Sequence, residues 1–390
     1  MESHSLSKNL FFLFLLLATN LLTFFFFSSS TFTIDTFPST SEESRITAST
    51  PTTLPSEFVA ITASTPTTLP SEFVASTEPQ LLPFGHNSNF DSDTIHPPVG
   101  HACTLFPSDL KRYMSYTVGG PCPDDELLAQ KLLLKGCEPL PRRRCRPQAP
   151  ANFADPHPLP ASLWTTPSDT SVIWSHYSCK NYTCLINRMH QKQFDDCKDC
   201  FDLNGREKTR WIIPEGSLSF TIDQVISLKK PSTIRIGLDI GGGSGTFAAR
   251  MKEREITIVT TSMNFNGPFN SFIASRGVVP LYISVSQRLP FFDNTLDIVH
   301  SMHVLSNWIP TQMLGFILFD VYRILRPGGM FWLDHFFCLE DQLSEVYVPL
   351  IESVGFQKLK WVVGSKLDRG AHLKEVYISA VLEKPVKKQS

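Results

Sequence analysis

The C-terminal part of this sequence predicts an α/β domain built on a mainly parallel sheet, and three observations predict it. From about Trp211 short β-branched apolar runs alternate with segments of helical period, only short loops separate them, and one loop is the glycine-rich IGLDIGGGSGTFAARM at 236–251. SLSFTIDQVISL, 217–228, sets Phe220, Val225, Ile226 and Leu228 at helical spacing, and TIRIGLDI then reads as the first strand, ending in the glycines. TFAARMKERE, with Phe247 and Met251 at i and i+4, is the helix that follows. EITIVTT is a second buried strand, PFNSFIASRG a short helix and VVPLYISV a third strand. LDIVHS is the fourth strand, and MLGFILFDVYRIL is a helix stopped by Arg326-Pro327-Gly328-Gly329. MFWLDHFF is the fifth strand; a helix over about 341–354 precedes GFQKLKWVVG and KEVYISAVLEK, two closing strands.

A chain of 390 residues allows about two globular units plus non-globular sequence. The net charge of −2 and the lack of a basic stripe exclude nucleic acid as a partner class. From Leu10 to Phe27 the run LFFLFLLLATNLLTFFFF is apolar except at Thr19, Asn20 and Thr23, about the length that crosses roughly 30 Å of hydrocarbon as a helix. Lys8 precedes it and no Lys or Arg follows until Arg45, so residues 1–9 form a cytoplasmic tail, 10–27 a signal anchor, and the remainder is luminal, a single-pass type II arrangement. The alternative is a cleaved signal peptide and a secreted protein. Its apolar region would be about 7–15 residues with a small-residue cleavage site, whereas this run is longer and ends in Phe24 to Phe27. Residues 28–100 are a Ser/Thr/Pro-rich stalk with too little periodicity for a core, and ITASTPTTLPSEFVA occurs there twice in tandem, at 46–60 and 61–75.

Residues 101–213 hold eight of the nine cysteines. An even cluster behind a secretory-type anchor reads as a disulfide framework of open connectivity. The spacing of Cys179, Cys184, Cys197 and Cys200 also admits a four-thiolate zinc site. Asn181-Tyr182-Thr183 is a glycosylation sequon, useful only in the lumen where thiols oxidise, which favours disulfides and makes Asn181 a glycan site. Cys338 reads as a small buried residue. Arg142, Arg143, Arg144 and Arg146 in LPRRRCRPQAP form either a solvated or processing loop or a surface for an anionic sugar polymer.

Asp239, Gly241, Gly242, Gly243 and Gly245 lie between a strand and a helix, where glycines turn tightly and leave room for a ligand at the helix N-terminus. The third glycine stands two residues after the second, not three as in a dinucleotide fingerprint, which argues against a dehydrogenase. Downstream, LPFFDNTLDIVHS (289–301) and YRILRPGGMFWLD (322–334) resemble motifs of class I S-adenosylmethionine-dependent methyltransferases, as does the closing ESVGFQKLKWVV with EVYISAVLEK. The resemblance covers about 214–386 and implies a Rossmann-like seven-stranded sheet of six parallel strands and one antiparallel. PRRRC, SLWTTPSDTSVIWSHYSCKNYTC and the glycine turn together resemble a plant family of Golgi-type single-pass membrane methyltransferases. That likeness implies a luminal catalytic domain on the Golgi membrane and a glycan or cell-wall polysaccharide acceptor.

The resemblance assigns Asp239 and the turn's backbone to the methionine moiety of S-adenosyl-L-methionine. It also exposes two departures. The second strand ends ITIVTTSMN without the acid that takes ribose hydroxyls, leaving Thr261, Ser262 or Asn264 as neutral partners. SVSQRLPF offers Ser286 and Gln287 where an acid meets the adenine amine. Methyl transfer needs alignment above all, and a hydroxyl acceptor benefits from a base while a carboxylate does not. His300, His303 and His335, at the ends of the fourth and fifth strands, are the candidate bases, with His300 first; Asp293 and Asp297 read as turn and strand-entry residues. Two readings follow: a methyltransferase of the secretory pathway acting on glycan oxygen, or, given the missing acids, a silent methyltransferase fold serving as scaffold in a glycan-synthesis complex.

Overall fold

A computed structural model describes residues 101–188, 197 and 199–386. The tail, the expected membrane span at 10–27 and the stalk lie outside the described residues, and no described helix is long and apolar enough to cross a membrane. The described residues all fall within one compact unit.

The cysteine-rich part is short helices held by disulfides. Helix α1 (Pro107–Tyr113) and α2 (Glu126–Leu134) pack around Tyr113, Leu128 and Leu132, with Cys103 bonded to Cys137 in the same small core. Cys122 bonds Cys145. Arg143 holds Asp125 through two hydrogen bonds of 2.7 and 3.0 Å and lies 4.0 Å from the Tyr113 ring. At least this member of the arginine cluster is therefore a clamp, not a solvated side chain. Helix α3 (Tyr182–Asn187) starts where the exposed Asn181 accepts the Cys184 N–H at 2.7 Å. Cys179 bonds Cys184 and Cys197 bonds Cys200, so the four cysteines whose spacing admits zinc are joined in pairs. Cys338 is free and buried.

The α/β part follows the predicted order, with shifted edges. Helix α4 covers only Ile222–Ile226, because the Thr221 side chain takes the Gln224 N–H in a capping box and starts the helix there. Strand β1 (Ile236–Ile240), α5 (Thr246–Lys252), β2 (Thr257–Thr261), α6 (Phe269–Ser275), β3 (Val279–Leu281), β4 (Leu296–Met302) and α7 (Thr311–Ile324) succeed one another. Strand β5 (Leu325–Leu339) absorbs the Arg-Pro-Gly-Gly segment that was expected to be a loop, because Gly328 N–H and Gly329 C=O both bond the backbone of Lys384. Beyond it Glu340–Gln342, a π turn at Leu343–Tyr347 and α8 (Val348–Ser353) form one helical stretch. Pro349 lacks an N–H for the preceding turn, which fits the local change of winding. Strands β6 (Gln357–Ser365) and β7 (Glu375–Glu383) close the chain.

The strands lie in the order β3-β2-β1-β4-β5-β7-β6, with β7 antiparallel to its neighbours and the other six running one way. Leu238, Val299 and Phe331 face α7 and α8 in one core, while Ile258, Ile298, Met330 and Trp332 face α4 and α5 in the other. At the N-terminal edge buried Asp297 accepts the Arg235 and Ile236 N–H groups and the Arg326 guanidinium, the strand-entry role expected of it. At the other edge the order reverses beside β1 and β4, the place where such sheets hold ligands.

Candidate active site

β1 delivers Asp239 to that edge, and the glycine turn follows. Thr261, ending β2, holds the turn: its hydroxyl accepts the Gly241 N–H at 2.9 Å and its carbonyl the Gly242 N–H at 3.0 Å. Gly245 caps α5. A Cβ on Gly242 would lie 2.1 Å from Asp239 Oδ2, so the backbone approaches the carboxylate as only glycine allows. Gly243 has φ +56° and its added Cβ would meet Cys197 Sγ at 2.8 Å, so the cysteine-rich part touches the turn.

Asp239 is buried; Oδ1 sits 2.7 Å from His300 Nδ1, and Oδ2 has no hydrogen-bond partner among the described residues. His300 is 1 % exposed and its ring stacks on Phe247 at 3.9 Å. Its Nε2 stands 3.5 Å from Asp334 Oδ2, a charge contact longer than an ordinary hydrogen bond. Burial lowers the pKa of this histidine, but the two carboxylates outweigh it and the net shift is upward. Enclosed between two acids, His300 does not reach an acceptor, which corrects its expected role as base.

Asp334 links this cluster to open space. Its Oδ2 accepts Trp211 Nε1–H at 2.9 Å and its Oδ1 lies 2.6 Å from His335 Nδ1. Burial would raise its pKa, yet His300 and His335 hold it well below the carboxylate range. The register of β5 on β7 shifts between Leu333 and Phe336, and at this bulge His335 takes φ +51°. His303, after β4, takes φ +60° and its ring centre lies 5.2 Å from that of His335. Burial first, then His335 and Arg210, press His303 down to about 4, so it stays neutral near pH 7. Left-handed backbone at two histidines facing one space is a feature of functional edges. That space is a cavity of 360 Å³ lined by Arg206, Arg210, Trp211, His303, His335 and Tyr377, among others. Both arginines are already paired, Arg206 with Asp199 and Arg210 with Glu207, each at 2.7 Å.

The remaining expected residues lie along the ends of β2 and β3. Asn264 Oδ1 accepts from the Asn270 backbone at 3.0 Å and side chain at 2.9 Å, and Ser286 Oγ pairs with Ser284 Oγ at 2.8 Å. Asp334, Trp211 and Tyr377 escaped sequence reasoning. An Asp-His pair inside the apolar run FWLDHFF was the available signal for Asp334. Trp211 acts across 123 residues and left none.

The fold and site define a class, and comparison with known proteins gives the same one. The family model described as "Putative S-adenosyl-L-methionine-dependent methyltransferase" matches residues 121–340. The chain belongs to that family. A protein of Arabidopsis thaliana named a "probable methyltransferase" is 40% identical over 291 residues, 74% of this chain and 72% of that protein. Another Arabidopsis thaliana protein, named a "probable pectin methyltransferase", is 30% identical over 119 residues, 29% of this chain but 17% of that protein. Among solved structures, a methyltransferase from Methanosarcina mazei aligns with a TM-score of 0.33 at 14% identity, over 40% of this chain and 94% of that chain.

The protein is thus a methyltransferase that uses S-adenosylmethionine, and the turn fits that cofactor. The buried, unpartnered Asp239 Oδ2 calls for a donor such as the cofactor's ammonium, beside a backbone too close for any side chain.

Proposed function

We propose that the protein methylates an oxygen of a cell-wall glycan in the lumen of the Golgi, on a chain anchored as a single-pass type II membrane protein. The observation that carries the catalytic part is the polar relay from the glycine turn to the cavity: Asp239, His300, Asp334 and His335 in successive contact. The name of the relative called a "probable pectin methyltransferase" supports a polysaccharide acceptor. The apolar run at 10–27, the sequon at Asn181 and the paired cysteines support the lumen.

In this reading Asp239 and the backbone of Gly241, Gly242, Gly243 and Gly245 hold the methionine end of the cofactor, and Asn264 and Ser286 face its adenosine side. The bound cofactor supplies a methyl group already activated as a sulfonium. With Nδ1–H directed at Asp334, His335 presents the lone pair of Nε2 to the cavity and takes the proton of an acceptor hydroxyl, and Asp334 stabilises the imidazolium that results. His300 is a positioning residue that fixes Asp239 and Asp334. Because the two arginines of the cavity already face carboxylates, the site suits a neutral hydroxyl better than a uronate.

The full-length protein, incubated with methyl-labelled cofactor and a panel of neutral and acidic cell-wall glycans, tests this. Label on a neutral glycan is expected, and His335→Gln should lower kcat on the order of 100-fold. Cofactor binding without label on any glycan would count against the acceptor. For topology, glycosidase should shift the mobility of wild type but not of Asn181→Gln; no shift would oppose a luminal site.

A further inference from the structure

Glu138, in the cysteine-rich part, has an unexplained carboxylate. Its Oε2 is buried with no hydrogen-bond partner among the described residues, while the Ser284 N–H donates to the same group. Buried polar atoms are nearly always satisfied, so an orphaned acceptor on a fixed backbone asks what donates to it. The backbone is fixed because the preceding Cys137 is fully buried and bonded to Cys103.

The surroundings indicate what arrives there. Helix α2 and the turn after it lie along the ends of β2 and β3. Gln130 donates to the Asn264 carbonyl at 2.9 Å, Ser286 to the Leu133 carbonyl at 3.4 Å and Gln287 to the Gly136 carbonyl at 3.5 Å. Strands β1, β2 and β3 are successive neighbours. A cofactor held with its methionine end at Asp239 on β1 and running along the sheet edge past β2 would bring its purine to the end of β3, where Glu138 meets Ser284. The purine of this cofactor carries an amine on its outer edge, a donor that a carboxylate oxygen can accept.

We propose that Glu138 binds the adenine amino group of the cofactor, so that an acid supplied from outside the sheet completes the cofactor site. The proposal rests on the cofactor, not on the glycan. Burial pushes the Glu138 carboxyl up to about 7, which makes it sensitive to an arriving donor. The titratable groups around it are Tyr282 and, beyond that ring, Glu126 and Tyr113. Burial holds Tyr282 neutral above the usual tyrosine range.

Calorimetric titration of the full-length protein with S-adenosylhomocysteine and with S-inosylhomocysteine, whose 6-oxo group accepts instead of donating, tests the contact. Glu138→Gln should weaken adenosyl binding about tenfold and leave inosyl binding equal or tighter, since an amide donates to the oxo group. An equal loss for both ligands, or no loss, overturns the proposal. Should the variant fail to fold by circular dichroism, wild type still decides. Adenosyl affinity should rise from pH 6 to 8 as Glu138 ionises while inosyl affinity falls, and parallel responses overturn the proposal. Wild type that binds neither ligand refutes the cofactor reading itself.

Discussion

Asp334 shows how one side chain governs the site. It takes hydrogen bonds from Trp211 and His335 and faces His300, so Asp334→Asn removes the charge that opposes both imidazoles. Activity is expected to fall about 100-fold, with His335 in the wrong tautomer, and a kcat measurement at pH 7 checks it. The same cluster sets a pH dependence. The pKa of His300 is raised above its ordinary 6.5 in the fold, so its stabilising contribution is complete below about 6.5. It is lost as pH rises through the folded value. Wild-type Tm should therefore decline on the alkaline side of neutrality, and Asp239→Asn should flatten that decline. A Cβ at Gly243 is strained by φ +56° and by Cys197, so Gly243→Ala should abolish cofactor heat in calorimetry at little cost to helix content. At this scale the sequence was half legible. The glycines and Asp239 announced themselves by spacing, whereas the division of labour between His300 and His335 depends on a bulge that no local pattern encodes.

Elements were legible wherever periodicity is local. Each strand and helix of the sheet appeared where its apolar pattern placed it, because one-sided burial is written residue by residue. Boundaries failed where a partner far along the chain decides them, as when Lys384 draws Gly328 and Gly329 into β5. Arg276, after α6, is the least legible of the clamps. Fully buried, it donates to the Leu163 carbonyl at 2.8 Å, the Ser244 carbonyl at 3.0 Å and Thr246 Oγ1 at 3.0 Å, tying the glycine turn to the N-terminal part. Desolvation lowers its pKa to about 10, still well above neutrality. Arg276→Ala should cost about 3 kcal/mol, seen as a lower denaturant midpoint, because three acceptors lose their donor.

At the scale of the whole molecule, the described residues on both sides of residue 213 fall in one compact unit, and the family match runs across that point. Trp211 on Asp334 and α2 along β2 and β3 make the disulfide-held segment a wall of the site. A chain starting at 214 is therefore expected to retain the sheet by circular dichroism yet bind S-adenosylhomocysteine at least tenfold more weakly than the full chain. The four disulfides then acquire a functional meaning. A copy whose thiols are reduced is therefore expected to lack a finished wall and to bind S-adenosylhomocysteine more weakly than the oxidised chain, which calorimetry with and without reductant checks.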